Sequence, residues 1–134
     1  MDTLTSDAIA NATLAQYETT IGTLPVLKLY GDGAVPTDIG DTLLGTVAAT
    51  ISLPSDWLGV PASRTAAFLG TIEDTAADAT VTALSYFVIF ASDGTTPHLI
   101  GDITVTGGGG KLTVSSLNVS IGTPLSITGL TLTA

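Results

Sequence analysis

Cysteine is absent from this 134-residue chain, histidine occurs once, at His98, and the basic side chains are Lys28, Arg64 and Lys111 alone. Without cysteine there is neither a disulfide framework nor a thiolate zinc site, although the absence does not identify a compartment. Twelve acidic residues against three basic ones give a formal charge of −9. No stripe of cations can follow a phosphate backbone, and net repulsion argues against nucleic acid as a direct partner. Long apolar runs are missing as well. Despite a mean hydropathy of +0.55, no segment approaches the roughly 18 apolar residues of a membrane helix, so no membrane association is expected. The longest run, Leu84 to Ala91, includes Ser85 and Tyr86 and reads as a buried strand. Met1-Asp2-Thr3 places no basic residue ahead of an apolar stretch, so a secretory signal is not expected.

What the chain does have is Thr, Ala, Gly, Leu, Ile and Val in period-2 segments separated by Gly, Pro and Asp turns. Residues 3–17 are the exception. They are Ala-rich and free of Gly and Pro, which predicts a short helix capped by Thr3 or Thr5, with Asp7 in the first turn. Its apolar face is read as Leu4, Ala8, Ala12 and Ala15, with Ile9 beside it. So narrow a face suits either a cover over one end of the domain or an arm that docks on a neighbouring subunit, and the arm is the expectation carried forward.

From Thr19 onward the pattern predicts strands. They are Val26–Tyr30, Leu43–Leu53 with a bulge suggested by Gly45, Arg64–Leu69, Val81–Ala91, His98–Thr106, Lys111–Val114, Leu117–Ile121 and Leu125–Leu132. Glu73–Ala79 reads as an acidic turn, Asp93-Gly94 as a hairpin turn, and Gly107–Gly110 as a flexible one. About eight closely spaced strands indicate an all-β, antiparallel β-sandwich or jelly-roll-like domain with a short N-terminal helix. The expected division is a helical arm over residues 1–18 and a sandwich over 19–134, with Val47, Ile51, Val88, Ile103, Val114 and Ile127 inside.

Residues able to run chemistry are few. His98 follows Pro97 at a strand start and reads as a surface histidine, since no positioned triad can be argued around it. Glu18 and Glu73 are the only glutamates and read as solvated charges rather than an acid/base pair. Asp32, Asp38 and Asp41 share a Gly-rich loop of the kind calcium favours, but their spacing fits neither an EF-hand nor a nonapeptide repeat, and Asp forms turns on its own account. No metal, cofactor or catalytic residue is therefore expected, and the chain is not expected to be an enzyme. Asn11-Ala-Thr13 and Asn118-Val-Ser120 match the glycosylation sequon, which matters only in a eukaryotic secretory pathway. Trp57 and Leu58 stand in a loop bounded by Pro54 and Pro61. They read first as a plug for the sandwich end and second as an interface anchor. The candidate interface residues are Leu4, Ala8, Ile9, Ala12, Tyr17, Trp57 and Leu58.

The order of segments carries one further reading. The Ala/Thr-rich N-terminal helix precedes Leu27-Lys-Leu-Tyr30-Gly-Asp-Gly, then Leu43-Leu-Gly-Thr-Val-Ala-Ala-Thr-Ile-Ser-Leu53 and Asp74-Thr-Ala-Ala-Asp-Ala-Thr80. Tyr86-Phe-Val-Ile-Phe-Ala-Ser-Asp-Gly-Thr95 and Gly101-Asp-Ile-Thr-Val-Thr-Gly-Gly follow. In this order the chain resembles, over nearly its whole length, a family of short tailed-phage virion proteins encoded among head genes and thought to decorate, or cement, the capsid. The resemblance implies a structural protein on the outer surface of a phage head, bound to the major capsid protein and assembled as a homotrimer. An acidic chain fits the exterior better than the DNA-filled interior. The alternative is a receptor- or carbohydrate-binding β-sandwich module of a phage tail or fibre, with Tyr17, Tyr30, Trp57 and Tyr86 as the side chains able to stack on a sugar.

Overall fold

The computed structural model describes residues 4–70 and 72–134. Thr3, one of the two residues read as a helix cap, lies outside them. The helix α1 spans Asp7–Ile21 and is capped by Ser6, whose hydroxyl accepts the Ile9 N–H. It runs four residues beyond the expected end because Glu18-Thr-Thr-Ile21 contains no breaker. Gly22 then stops it in a conformation (φ +89°) that side chains disfavour, with its N–H donated to the Glu18 carbonyl.

Eight strands follow: β1 Val26–Gly31, β2 Thr46–Ser52, β3 Thr65–Ala67, β4 Glu73–Asp74, β5 Leu84–Phe90, β6 Pro97–Val105, β7 Leu112–Val114 and β8 Leu125–Thr133. They form one mixed sheet in the order β2-β1-β5-β6-β7-β8-β3, with β4 paired to β8. The expected all-β architecture is present, with one departure from a purely antiparallel arrangement. Strand β6 pairs antiparallel with β5 through Asp102, and its last residues, Ile103–Val105, pair parallel with β7. The sheet thereby changes direction within β6. Leu27, Leu29, Ile51, Phe87 and Ile89 from one half meet Leu112, Val114, Leu125, Leu130 and Leu132 from the other in a single core. This is the sandwich in physical terms: two layers enclosing one set of apolar side chains.

Three strand expectations change. The segment 117–121 is not a strand. Only Val119 pairs, with Val81, before Ser120 and Thr123 close a turn. The acidic segment after Ile72 supplies β4 instead, with Glu73 opposite Ser126 and Asp74 opposite Leu125. Within β2 the extra residue is Ala48 rather than Gly45: Leu29 faces Ala49 while Tyr30 faces Val47. A one-residue bulge exchanges the two faces of a strand. Val47 therefore leaves the main core and packs on the opposite side of the sheet, beside Tyr30, Tyr86, Val88 and Phe90. Val88 belongs to this second cluster too, and Ile127, at a similar shift opposite Val114, is only half-buried. Of the expected interior set, Ile51, Ile103 and Val114 lie in the main core.

The helix shares the core of the strands. Ala10, Leu14 and Ile21 are buried, and Tyr17 packs against the same cluster. Residues 1–18 are thus not a separate arm over the described part of that segment. The face expected to be apolar, Leu4, Ala8, Ile9 and Ala12, is the one turned to solvent. The stripe that docks is Ala10–Leu14–Tyr17–Ile21, which obeys helical spacing but reaches past the expected helix end.

Candidate functional site

The side chains capable of chemistry are committed, one after another, to holding backbone in place. Arg64 is the clearest case. Ser63 and Arg64 both have positive φ (49° and 65°) in the tight turn between Ala62 and Thr65. Two non-glycine residues in that region are strained unless their surroundings enforce it. The Asn11 side chain accepts the Arg64 N–H at 2.9 Å. The guanidinium reaches the Thr5 carbonyl at 2.7 Å, the Thr5 hydroxyl at 2.7 Å, the Asp7 carboxylate at 3.1 Å and the Ala134 carbonyl at 3.3 Å. One planar fork thus ties the helix start, this turn and the last residue together.

Trp57 and Leu58 close the other end of the helix. Trp57 is fully buried and its indole N–H donates to the Gly22 carbonyl at 2.9 Å, while Glu18 accepts the Leu58 N–H at 2.9 Å. The plug reading holds for this pair, and neither side chain is open to a partner. Tyr17 is half-buried and packs against the main core. Of the candidate interface residues, only Leu4, Ala8, Ile9 and Ala12 face solvent, with Leu4 84% and Ile9 57% exposed.

The carboxylates follow the same rule. Asp32 accepts the N–H groups of Thr82 and Ala83, and Asp41 those of Thr37 and Asp38. Asp38 takes the Gly40 N–H. Asp32 fastens a remote segment while Asp38 and Asp41 close their own turn, and among the described residues no His, Cys, Asp or Glu cluster has the arrangement to hold a metal. Asp74 and Asp78 cover the outer edge of β2: Asp74 accepts the Thr50 N–H, Asp78 accepts the Thr50 hydroxyl, and the Asp78 N–H donates to the Ala48 carbonyl. An open strand edge invites pairing with another chain, and these contacts remove the opportunity. Glu73 accepts from Ser126. The local turns of Asp38 and Asp41 were legible in the sequence; the uses of Asp32, Glu73, Asp74 and Asp78 were not, because each joins residues remote along the chain.

The second apolar cluster holds a stacked tyrosine pair. The Tyr30 and Tyr86 rings lie 4.8 Å apart at 7°, and the Tyr86 hydroxyl donates to the Leu44 carbonyl at 2.6 Å. Burial pushes both phenols up from their ordinary value, so both are neutral at physiological pH. Lys28 lies over the Phe90 ring, 4.9 Å from its centroid, and donates to the Gly94 carbonyl.

His98 is half-buried at the start of β6 rather than exposed. It stands between Thr13, Gln16 and Tyr17 of the helix on one side and Val35–Ile39 on the other. Among the described residues its imidazole has no hydrogen-bond partner. Beside it, residues 35–39 and the first half of β6 border an open cavity of about 420 Å³. Sequence reasoning missed this groove. Its walls are two segments about sixty residues apart, and the available signal was only the unexplained apolar Val35 and Ile39 in a loop of turn-forming residues.

No family model, no curated protein and no solved structure matches the chain.

Proposed function

We propose that the protein is a structural virion protein that decorates the outer surface of a phage head, binding the major capsid protein and forming a homotrimer rather than catalysing a reaction. The observation that carries this reading is the solvent-facing set Ala8, Ile9 and Ala12 on the helix, with Leu4 exposed just ahead of its cap, on a helix start tied down by Arg64. A helix face of small and apolar residues, fixed in direction, suits close contact with another protein surface. The segment order described above supports the same role, as does a body whose polar side chains are spent on fastening loops. The acidic charge of −9 suits a protein that lies outside a DNA-filled shell.

The tail or fibre module remains the second reading, and one observation weighs against it. Of the four aromatic side chains available to stack on a sugar, Trp57, Tyr30 and Tyr86 are buried. Cryo-electron microscopy of the phage particle that carries this chain separates the two. The expected result is the β-body at threefold positions on the outside of the head. Density confined to the tail or its fibres would overturn the decoration role.

A further inference from the structure

We propose that the groove between the 33–45 loop and the first half of β6 docks a segment of a partner protein presenting a basic side chain flanked by aliphatic ones. The loop is preformed. Its ends meet where Gly33 and Gly45 pass so closely that a Cβ on Gly33 would stand 2.5 Å from the Leu44 carbonyl oxygen, and one on Gly45 would collide with that of Gly31. Inside the loop, Asp41 holds the Thr37 and Asp38 N–H groups, and Tyr86 holds Leu44 from below. Such compact loops with pinched ends act as rigid presenting surfaces, and a preformed surface loses little entropy on binding.

The lining is apolar in the middle and acidic at the rim. Val35 and Ile39 are 45% and 44% exposed, and they border the groove with half-buried Leu99 and Ile100, so the apolar surface there is contiguous. Asp38 and Asp102 stand among the same lining residues. One oxygen of Asp38 accepts the Gly40 N–H and one of Asp102 the Lys111 N–H, which leaves each with a second oxygen to offer. Among the described residues the one ion pair is Arg64–Asp7, so neither carboxylate is paired with a cation there.

Charge also selects the occupant. A second copy is a poor occupant: it carries the same net charge of −9, and of its three basic side chains Lys28 is held on Phe90 and Gly94 and Arg64 on Thr5, Asp7 and Ala134, which leaves Lys111 alone. The occupant proposed is therefore a different protein that presents basic side chains. Within the role proposed above that partner is the capsid protein, and only the partner's identity rests on that role.

The test is a titration of the isotope-labelled full-length protein with the blocked peptide Leu-Arg-Leu-Lys-Leu and with its counterpart carrying Glu at both basic positions, followed by amide NMR. Saturable shifts confined to residues 35–39 and 98–102 are expected with the basic peptide alone. They should weaken with added salt. Binding should fall about tenfold in the double variant Asp38→Asn/Asp102→Asn. Asn keeps an acceptor for the Gly40 and Lys111 N–H groups, so an unchanged spectrum elsewhere certifies the fold. No shift at these amides, equal response to both peptides, or unaltered binding by the variant would overturn the groove while leaving the capsid role standing. Absence of the protein from the head would remove the capsid role and leave the groove.

Discussion

At the scale of single residues, this chain uses its acids as backbone fasteners, and Asp93 shows what that implies for stability. It sits in the hairpin between β5 and β6, where its carboxylate accepts the Thr96 hydroxyl at 2.6 Å, the Thr95 N–H at 2.8 Å and the Thr96 N–H at 2.9 Å. These bonds, the Thr96 hydroxyl first, lower its pKa to about 2. A carboxyl whose folded pKa lies below its unfolded value stabilises the fold above the unfolded value and loses that contribution as pH falls through the folded one. Thermal unfolding should therefore become easier between about pH 4 and about pH 2. In Asp93→Asn the amide still accepts a turn N–H but cannot titrate, so the melting temperature should depend less steeply on pH across that window. An identical slope in the two proteins would remove Asp93 as a contributor. The Asp-Gly turn itself was legible, since such turns are short-range. The fastening of Asp32 to Thr82 and Ala83 was not, because it needs the fold to bring the two segments together.

Among the elements, the helix and β2 show where period-based reading stops working. Both exist where the pattern puts them, yet the helix buries a face other than the expected one and β2 keeps its expected face only beyond the bulge. In β2 the cause is local: Ala48 bulges, and every residue before it changes sides. For α1 the cause is that alanine is nearly neutral between core and solvent. Leu4, Ala8 and Ala12 form a stripe only in a helix that runs from before Leu4 to Tyr17, whereas the helix starts after the Ser6 cap. Once Ile21 belongs to it, Leu14 and Ile21 define the buried side. Two substitutions separate the faces. Leu14→Ala removes a fully buried side chain from the main core and should cost about 2–5 kcal/mol. Ile9→Ala, on the same helix but turned to solvent, should change stability by less than about 0.5 kcal/mol. Urea unfolding of both variants checks this. Equal losses would mean that the helix does not dock as described, and a negligible loss for Leu14→Ala would return it to the status of an arm.

For the whole molecule, two surface properties oppose one another and set the conditions for assembly. The net charge of −9 makes copies repel, while the clamped helix and the residues just ahead of it present Ile9 and Leu4 to solvent. Fully burying one such side chain is worth roughly 1.5–3 kcal/mol before ordering costs. That is too little for a single contact to hold two acidic chains together. In the proposed closed trimer the contact would be made three times, and on the proposed capsid lattice each copy would also be tethered to the shell, so weak contacts would act together. Salt screens the repulsion without weakening the apolar contact. The proposed trimer should therefore gain population as ionic strength rises, which is the reverse of an assembly held by ion pairs. Sedimentation of the purified protein should show the mass move from one 13.4 kDa chain toward three as salt is added. Leu4→Asp/Ile9→Asp should keep the melting temperature of the parent, because both side chains are already in water, and should stay monomeric at every salt concentration. A double variant that assembled as well as the parent would show that the helix stripe is not the contact. A parent protein monomeric at all salt concentrations would leave the stripe for the capsid protein alone.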